Sequence, residues 1–291
     1  MLYDKPPTRI QSHENSLRLK PLDHYTVAAR QLQGKITGEL SRLTADEYLD
    51  DVIRHMHTME EETLPDTLLI DMQWELEWSM RPYLIDFIVE AHNALALRAE
   101  TLFLTVNLVD RYCSRRVVYK QHYQLVGCAA LLIAAKYGDD KDRVPRIHEL
   151  RDMCCGFYDA EMFIQMEMHI LNAVSWVLGH PTVVSFLQLM ETEEAEGQEI
   201  EHMAVFICEI TLYHRDFVST KASIKARVIL ALARAILGTG RLIDGDWGRA
   251  EKETLSALFL HIHNPSSAVT RRYSGSDLSR VAQKLANFLA G

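Results

Sequence analysis

An all-α chain of two successive five-helix units, with one extra helix ahead of them, is the fold that the sequence predicts. Three observations carry this. Apolar residues recur at three- and four-residue spacing in segment after segment, β-type alternation is nearly absent, and the breaks between segments are short stretches rich in Gly, Pro, Ser, Thr or Asn. The chain has 291 residues, enough for two cores of ordinary size.

In chain order, residues 1–43 hold Pro6, Pro7 and Pro21 among scattered polar and basic residues and read as a flexible arm. From Thr44, the segment TADEYLDDVIRHMHTMEEE supplies an N-cap threonine, acids in its first turn, and Tyr48, Val52 and Met56 at fourfold spacing. This is the extra helix, and it breaks at Pro65. With it, residues 44–180 form the first unit. Its helices fall near 79–95, capped by Ser79 with Pro82 in the first turn, then near 99–114, 119–137, 146–154 and 159–177. GHPT at 179–182 places a hinge near Pro181. The second unit, 181–291, carries helices near 182–193, 198–217, 220–237, 246–262 and 276–290, linked through EAEG, VST, GTG and NPSS. The two halves share helix count and spacing more than sequence.

Charge narrows the function classes. With 31 basic and 40 acidic side chains the formal charge is −9, which opposes nonspecific binding to nucleic acid or anionic lipid. Protein partners or small ligands fit better. The five cysteines, Cys113, Cys128, Cys154, Cys155 and Cys208, form no CxxC pair and read as reduced core thiols. No run of about 18 apolar residues exists, and MLYDKPPTRI has no signal-type apolar core, so a soluble, non-secreted protein is expected.

Two charged residues interrupt apolar faces. Lys136 closes QLVGCAALLIAAKY on the face of Cys128, Ala129, Leu132 and Ile133. Either its stem lies on the core with the ammonium near the last carbonyls, or it meets a partner charge. Glu167 has a matching position on the stripe of Phe163, Met166, Ile170 and Leu171. As a pair, the two could cap free backbone groups on another chain's helix. Arg81 and Asp110 form a second pair of opposite charges, read as a buried structural ion pair.

Enzyme signatures are poor. His55/His57 and His261/His263 sit two apart, which on a helix turns the rings to nearly opposite sides. A single ExxH, Glu199 to His202, falls short of a di-metal carboxylate set. HExxH, GxSxG and GxxxxGK[ST] are absent, and Gly238 and Gly240 follow a helix and read as its stop. No catalytic residues, cofactor or metal are expected.

Four stretches resemble a known family: MRPYLIDFIVEAH (80–92), ETLFLTVNLVDRYCS (100–114), QLVGCAALLIAAKY (124–137) and MEMHILNAVSWVLGHPT (166–182) are similar, in order and spacing, to the cyclin box. KASIKARVILALARAIL resembles the third helix of a C-terminal cyclin fold. Lys136-Tyr137 runs into Gly138-Asp139-Asp140, where mitotic B-type cyclins show KYEE and a proline-rich loop, so the likeness is greatest to fungal G1 cyclins of the Cln/Puc type. A mitotic destruction box is not evident, although Arg18-Leu19-Lys20-Pro21 keeps the question open.

The resemblance implies two tandem five-helix cyclin folds and a non-catalytic subunit that activates a cyclin-dependent serine/threonine kinase at the G1/S transition, in nucleus and cytoplasm. It implies that Lys136 and Glu167 hold the backbone of the kinase's PSTAIRE-type helix over an apolar floor of Ile133, Tyr137, Leu171, Trp176 and Leu178. It implies a patch for docking substrates or inhibitors at Met80, Leu84, Phe87, Glu90 and Gln124. Phe87 stands where the family has tryptophan, and Tyr83 is larger than the common aliphatic, which puts RxL-type docking in doubt. A cyclin for a phosphate- or nutrient-responsive kinase is the rival within the class. A nucleic-acid-binding cyclin fold of the transcription-factor type would need a basic face, and a helical metal enzyme would need a ligand set; no nucleic acid or membrane partner is expected.

Overall fold

The computed structural model describes residues 47–191, 197–240, 242 and 246–290, and all regular structure among them is helical. The arm at 1–43, its Arg18-Leu19-Lys20-Pro21 stretch and the Thr44 cap lie outside the described residues. The chain divides into two compact units, Met1–Val52 and Ile53–Gly291, and both tandem folds lie within the second.

Helix α1 covers 47–62 and is followed by the short α2, Thr67–Asp71. The first fold holds α3 (Arg81–Ala94), α4 (Ala99–Cys113), α5 (Tyr123–Gly138), α6 (Ile147–Met153) and α7 (Ala160–Ala173). Its centre is α4, buried from Thr101 to Cys113, with α5 against it, buried from Leu125 to Ala135. Helix α5 has no polar face between Leu125 and Ala135 and so lies inside the bundle, whereas α4 buries Asp110 against Arg81. Gly127 lets α5 approach α3, because a Cβ there would stand 2.8 Å from Leu84 Cδ1.

The second fold holds α8 (Val183–Glu191), α9 (Gln198–Thr211), α10 (Ala222–Ile236), α11 (Arg249–His261), the short α12 (Ser267–Arg272) and α13 (Val281–Ala290). Here α10 is central, packing on α8, α9 and α11 with Val228–Ala233 buried. The two folds meet where α8 packs on α4 and α12 on α3.

Several boundaries differ from the sequence expectation, each for a local reason. Ser79 is not the cap of α3: Trp78–Met80 is a 3-10 turn and the Ser79 hydroxyl donates to Glu77 Oε2 at 3.1 Å. Likewise Lys120–His122 is a 3-10 turn ahead of α5. Helix α9 stops at Thr211 and not near 217, and the Leu212 carbonyl left open at its end accepts from Arg81 Nε at 2.8 Å. Helix α7 ends at Ala173, since Ser175 and Trp176 take φ of +58° and +60°. Ser279 and Arg280, at φ +55° and +51°, delay the last helix to Val281, and Ser266, read as part of a turn, caps α12 by accepting from the Ala268 N–H at 3.1 Å. Gly238, at φ +71°, ends α10.

Two central helices begin without a side-chain cap of their own. Arg98 precedes α4 and Lys221 precedes α10, both basic and both unable to accept. A carboxylate from elsewhere in the fold supplies each. Buried Glu60 of α1 accepts the Ser223 N–H at 3.0 Å and its hydroxyl at 2.7 Å. Asp139, just beyond α5, accepts the Arg98 N–H at 3.3 Å and the Thr101 hydroxyl. Anions at helix N-termini satisfy open N–H groups and meet the positive end of the dipole.

Candidate partner-binding site

Lys136 lies in the last turn of α5 and Glu167 at mid-length on α7, two helices that pack side by side. Lys136 Nζ donates to Glu167 Oε1 at 2.6 Å and Oε2 at 2.9 Å. The lysine side chain is 49% exposed and the glutamate 15%, so the pair is held from below and open to solvent above. The ammonium has protons, and the carboxylate lone pairs, beyond those the pair uses on itself, the chemistry that a backbone carbonyl and N–H of another chain would need.

The proposed apolar floor divides by depth. Tyr137 and Trp176 are exposed, at 57% and 58%, and Leu178 is half-buried against the core. Ile133 and Leu171, at 2% and 8%, are buried in the bundle beneath the exposed members. Both stripes must satisfy α4 before anything outside, so their apolar members are consumed by the bundle. Trp176 is held in the left-handed region with its N–H on the Leu171 carbonyl at 2.9 Å and its Nε1 donating to Asn172 Oδ1 at 3.2 Å. For a bulky residue that conformation is uncommon, and it turns the indole outward.

Sequence reasoning missed Ile164 and Met168, exposed on α7 at positions flanking Glu167. The signal was present: they stand four apart, off the stripe of Phe163 and Ile170.

Four of the five residues expected to form a docking patch line one groove of about 300 Å3, Met80, Leu84, Phe87 and Gln124, together with Tyr83, Lys120 and Tyr123. Leu84 forms its base at 4% exposure, whereas Tyr83 stands at its edge, 79% exposed. Glu90 is not part of this lining. It lies near α12, 3.6 Å from Arg271, one helical turn beyond Phe87 and drawn toward the second fold.

Arg81 and Asp110 are buried between the two folds. Arg81 Nη1 and Nη2 donate to the two Asp110 oxygens at 2.5 and 2.9 Å, and its Nε to the Leu212 carbonyl. Burial alone would lower the pKa of the guanidinium, and the charge and hydrogen bonds of Asp110 outweigh that and raise it. Beside this pair lies a cavity of about 40 Å3 also lined by His180 and Lys225. Burial, with the Lys225 and Arg111 charges, lowers His180 to about 3, and burial lowers Lys225 to about 8.

The other candidates make no site. His261 stacks on His214 with ring centroids 3.8 Å apart and its Nε2 is 2.9 Å from Asp216 Oδ2. Among the described residues no group of three His, Cys, Asp or Glu side chains is placed to hold a metal ion, and no helix is long and apolar enough to cross a membrane. All five cysteines are free thiols. Four are buried as expected, but Cys155 is exposed, carried outward by a left-handed turn with Gly156.

Two tandem helical folds, with a buried ion pair of the first reaching the second through Arg81 and another ion pair open to solvent across two helices of the first, define an all-α protein of two tandem folds. The chain belongs to the cyclin family: the cyclin N-terminal domain matches residues 51–179 and the cyclin C-terminal domain residues 181–290. It is 43% identical over 201 residues to the G1/S-specific cyclin CCN1 of Candida albicans (strain SC5314), covering 62% of this chain and 29% of the relative. It is 45% identical over 145 residues to the cyclin puc1 of Schizosaccharomyces pombe, covering 50% of this chain and 40% of the relative. The chain thus spans less than half the length of these curated relatives. A viral cyclin from herpesvirus saimiri has the same fold, with TM-score 0.59 at 17% identity, over 81% of this chain and 97% of that one.

Proposed function

We propose that the protein is the regulatory subunit of a cyclin-dependent serine/threonine kinase and promotes passage from G1 to S. The observation that carries this reading is the solvent-open Lys136–Glu167 pair, braced by α5 and α7 and bordered in sequence by exposed Tyr137, Ile164, Met168 and Trp176. An oriented ion pair among exposed aromatic and aliphatic side chains has the anatomy of a binding hot spot. The G1/S assignment is supported by the likeness to a relative named G1/S-specific cyclin CCN1.

In this reading the pair holds the backbone of the kinase's PSTAIRE-type helix. Binding favours the kinase conformer in which that helix lies inward and its glutamate pairs with the catalytic lysine. The subunit performs no chemistry itself. The groove at Met80, Tyr83, Leu84, Phe87 and Gln124 takes an apolar docking segment of a substrate or inhibitor, with Lys120 at its edge. The protein acts in nucleus and cytoplasm.

The test is a pull-down and phosphorylation assay with the Lys136→Ala/Glu167→Ala double variant. Loss of kinase binding and activation by a protein that remains folded is expected. Undiminished activation would remove the site assignment. Purification from the native cell with identification of the co-purifying kinase separates the G1/S reading from a nutrient-responsive one.

A further inference from the structure

The Gly138-Asp139-Asp140 run directly after Lys136 and Tyr137 has a structural role that bears on the binding site. We propose that Asp139 is a positioning residue for partner binding, acting through Lys136 three residues before it. This rests on the kinase-binding reading of the Lys136–Glu167 pair.

The argument starts from the end of α5. A helix's last turn frays unless its carbonyls and the chain beyond them are tied down. Here the Asp139 N–H closes the helix on the Ala135 carbonyl at 3.0 Å. Its side chain reaches the start of α4, where its oxygens accept the Arg98 N–H at 3.3 Å and the hydroxyl of buried Thr101. Around this contact, Arg98 donates to the Gly138 carbonyl at 3.4 Å and to Asp140 at 3.1 Å, and Arg143 donates to the Ala96 carbonyl at 3.1 Å.

The last turn of α5 is therefore fastened to the first turn of the central helix by a carboxylate that also serves as that helix's missing cap. Lys136 is half exposed and long, with several torsions to lose on binding. Fixing the backbone beneath it, while Glu167 holds its ammonium, lowers what a partner must order. A longer or differently placed acid at this step would leave the Lys136 backbone looser without removing a single group that touches the partner.

The test is a double-mutant cycle. Affinity for a purified cyclin-dependent kinase with a PSTAIRE-type helix is measured for the unaltered chain, Asp139→Ala, Lys136→Ala and the double variant. Asp139→Ala is expected to weaken binding about tenfold in the unaltered background and less than about twofold once Lys136 is alanine. An equal factor in both backgrounds would overturn the positioning role while leaving Lys136 as a contact. If Lys136→Ala alone leaves affinity unchanged, the reading of the pair fails and the proposal with it. Asp139→Asn keeps an oxygen acceptor and should recover most of the affinity; binding no better than that of Asp139→Ala would rule out the hydrogen-bond account.

Discussion

Two ion pairs in the first fold differ chiefly in their access to water. Arg81–Asp110 is about 5% exposed, bidentate, and extends to the Leu212 carbonyl of the second fold. Lys136–Glu167 has similar lengths but one member half in solvent. In the interior, removing one partner strands the other without solvation. At the surface the same loss is largely made good by water. The buried pair therefore belongs to the stability of the seam, and the open pair is free to serve a partner.

The largest effect is expected from breaking the buried side of this comparison. Asp110→Ala leaves Arg81 uncompensated between the folds and should lower stability by about 3–5 kcal/mol in denaturant unfolding. The Lys136→Ala change should cost less than about 1 kcal/mol in the same measurement. Similar losses from the two variants would erase the distinction.

A smaller effect should come from Glu60→Ala, which removes the carboxylate that caps α10 and leaves the Ser223 N–H unmatched. A loss of about 1–2 kcal/mol is expected, measured by thermal melting.

Acid should also act on the seam. His180, lowered to about 3 by burial, stays neutral in the folded state while the unfolded chain takes up a proton below about 6.5. The unfolded state then binds more protons, so stability rises with pH between about 3 and 6.5 and is lost on acidification, by at most about 1.4 kcal/mol per pH unit from this residue. His180→Gln should flatten that slope in urea melts taken across the window. An unchanged slope would assign the acid sensitivity elsewhere.

Least in stability, yet informative on function, is Trp176→Gly. Glycine accepts the left-handed conformation that Trp176 is forced into, so the fold should gain up to about 1 kcal/mol while partner binding weakens. Improved melting together with intact binding would take the exposed indole out of the site.

Much of this was legible in the residues. Helix order followed from apolar spacing, and Lys136 and Glu167 drew notice because each breaks an apolar stripe. What stayed hidden depends on contacts distant in sequence. Periodicity put Ile133 and Leu171 on core-facing stripes, where the bundle buries them, but could not say how far Lys136 and Glu167 on the same stripes would reach solvent. The open carbonyl at the end of α9 is satisfied by Arg81, 131 residues away. The caps on α4 and α10 come from Asp139 and Glu60, neither adjacent to the helix it serves, so a local search for Ser, Thr or Asp finds only Arg98 and Lys221.

The central claim, that the open pair serves binding and the buried pair serves the fold, is tested most directly by measuring kinase affinity and unfolding free energy side by side for Glu167→Ala. The account predicts kinase binding reduced at least about a hundredfold with stability within about 1 kcal/mol of the unaltered chain. Full kinase affinity in that variant, or a stability loss as large as that of Asp110→Ala, would contradict it.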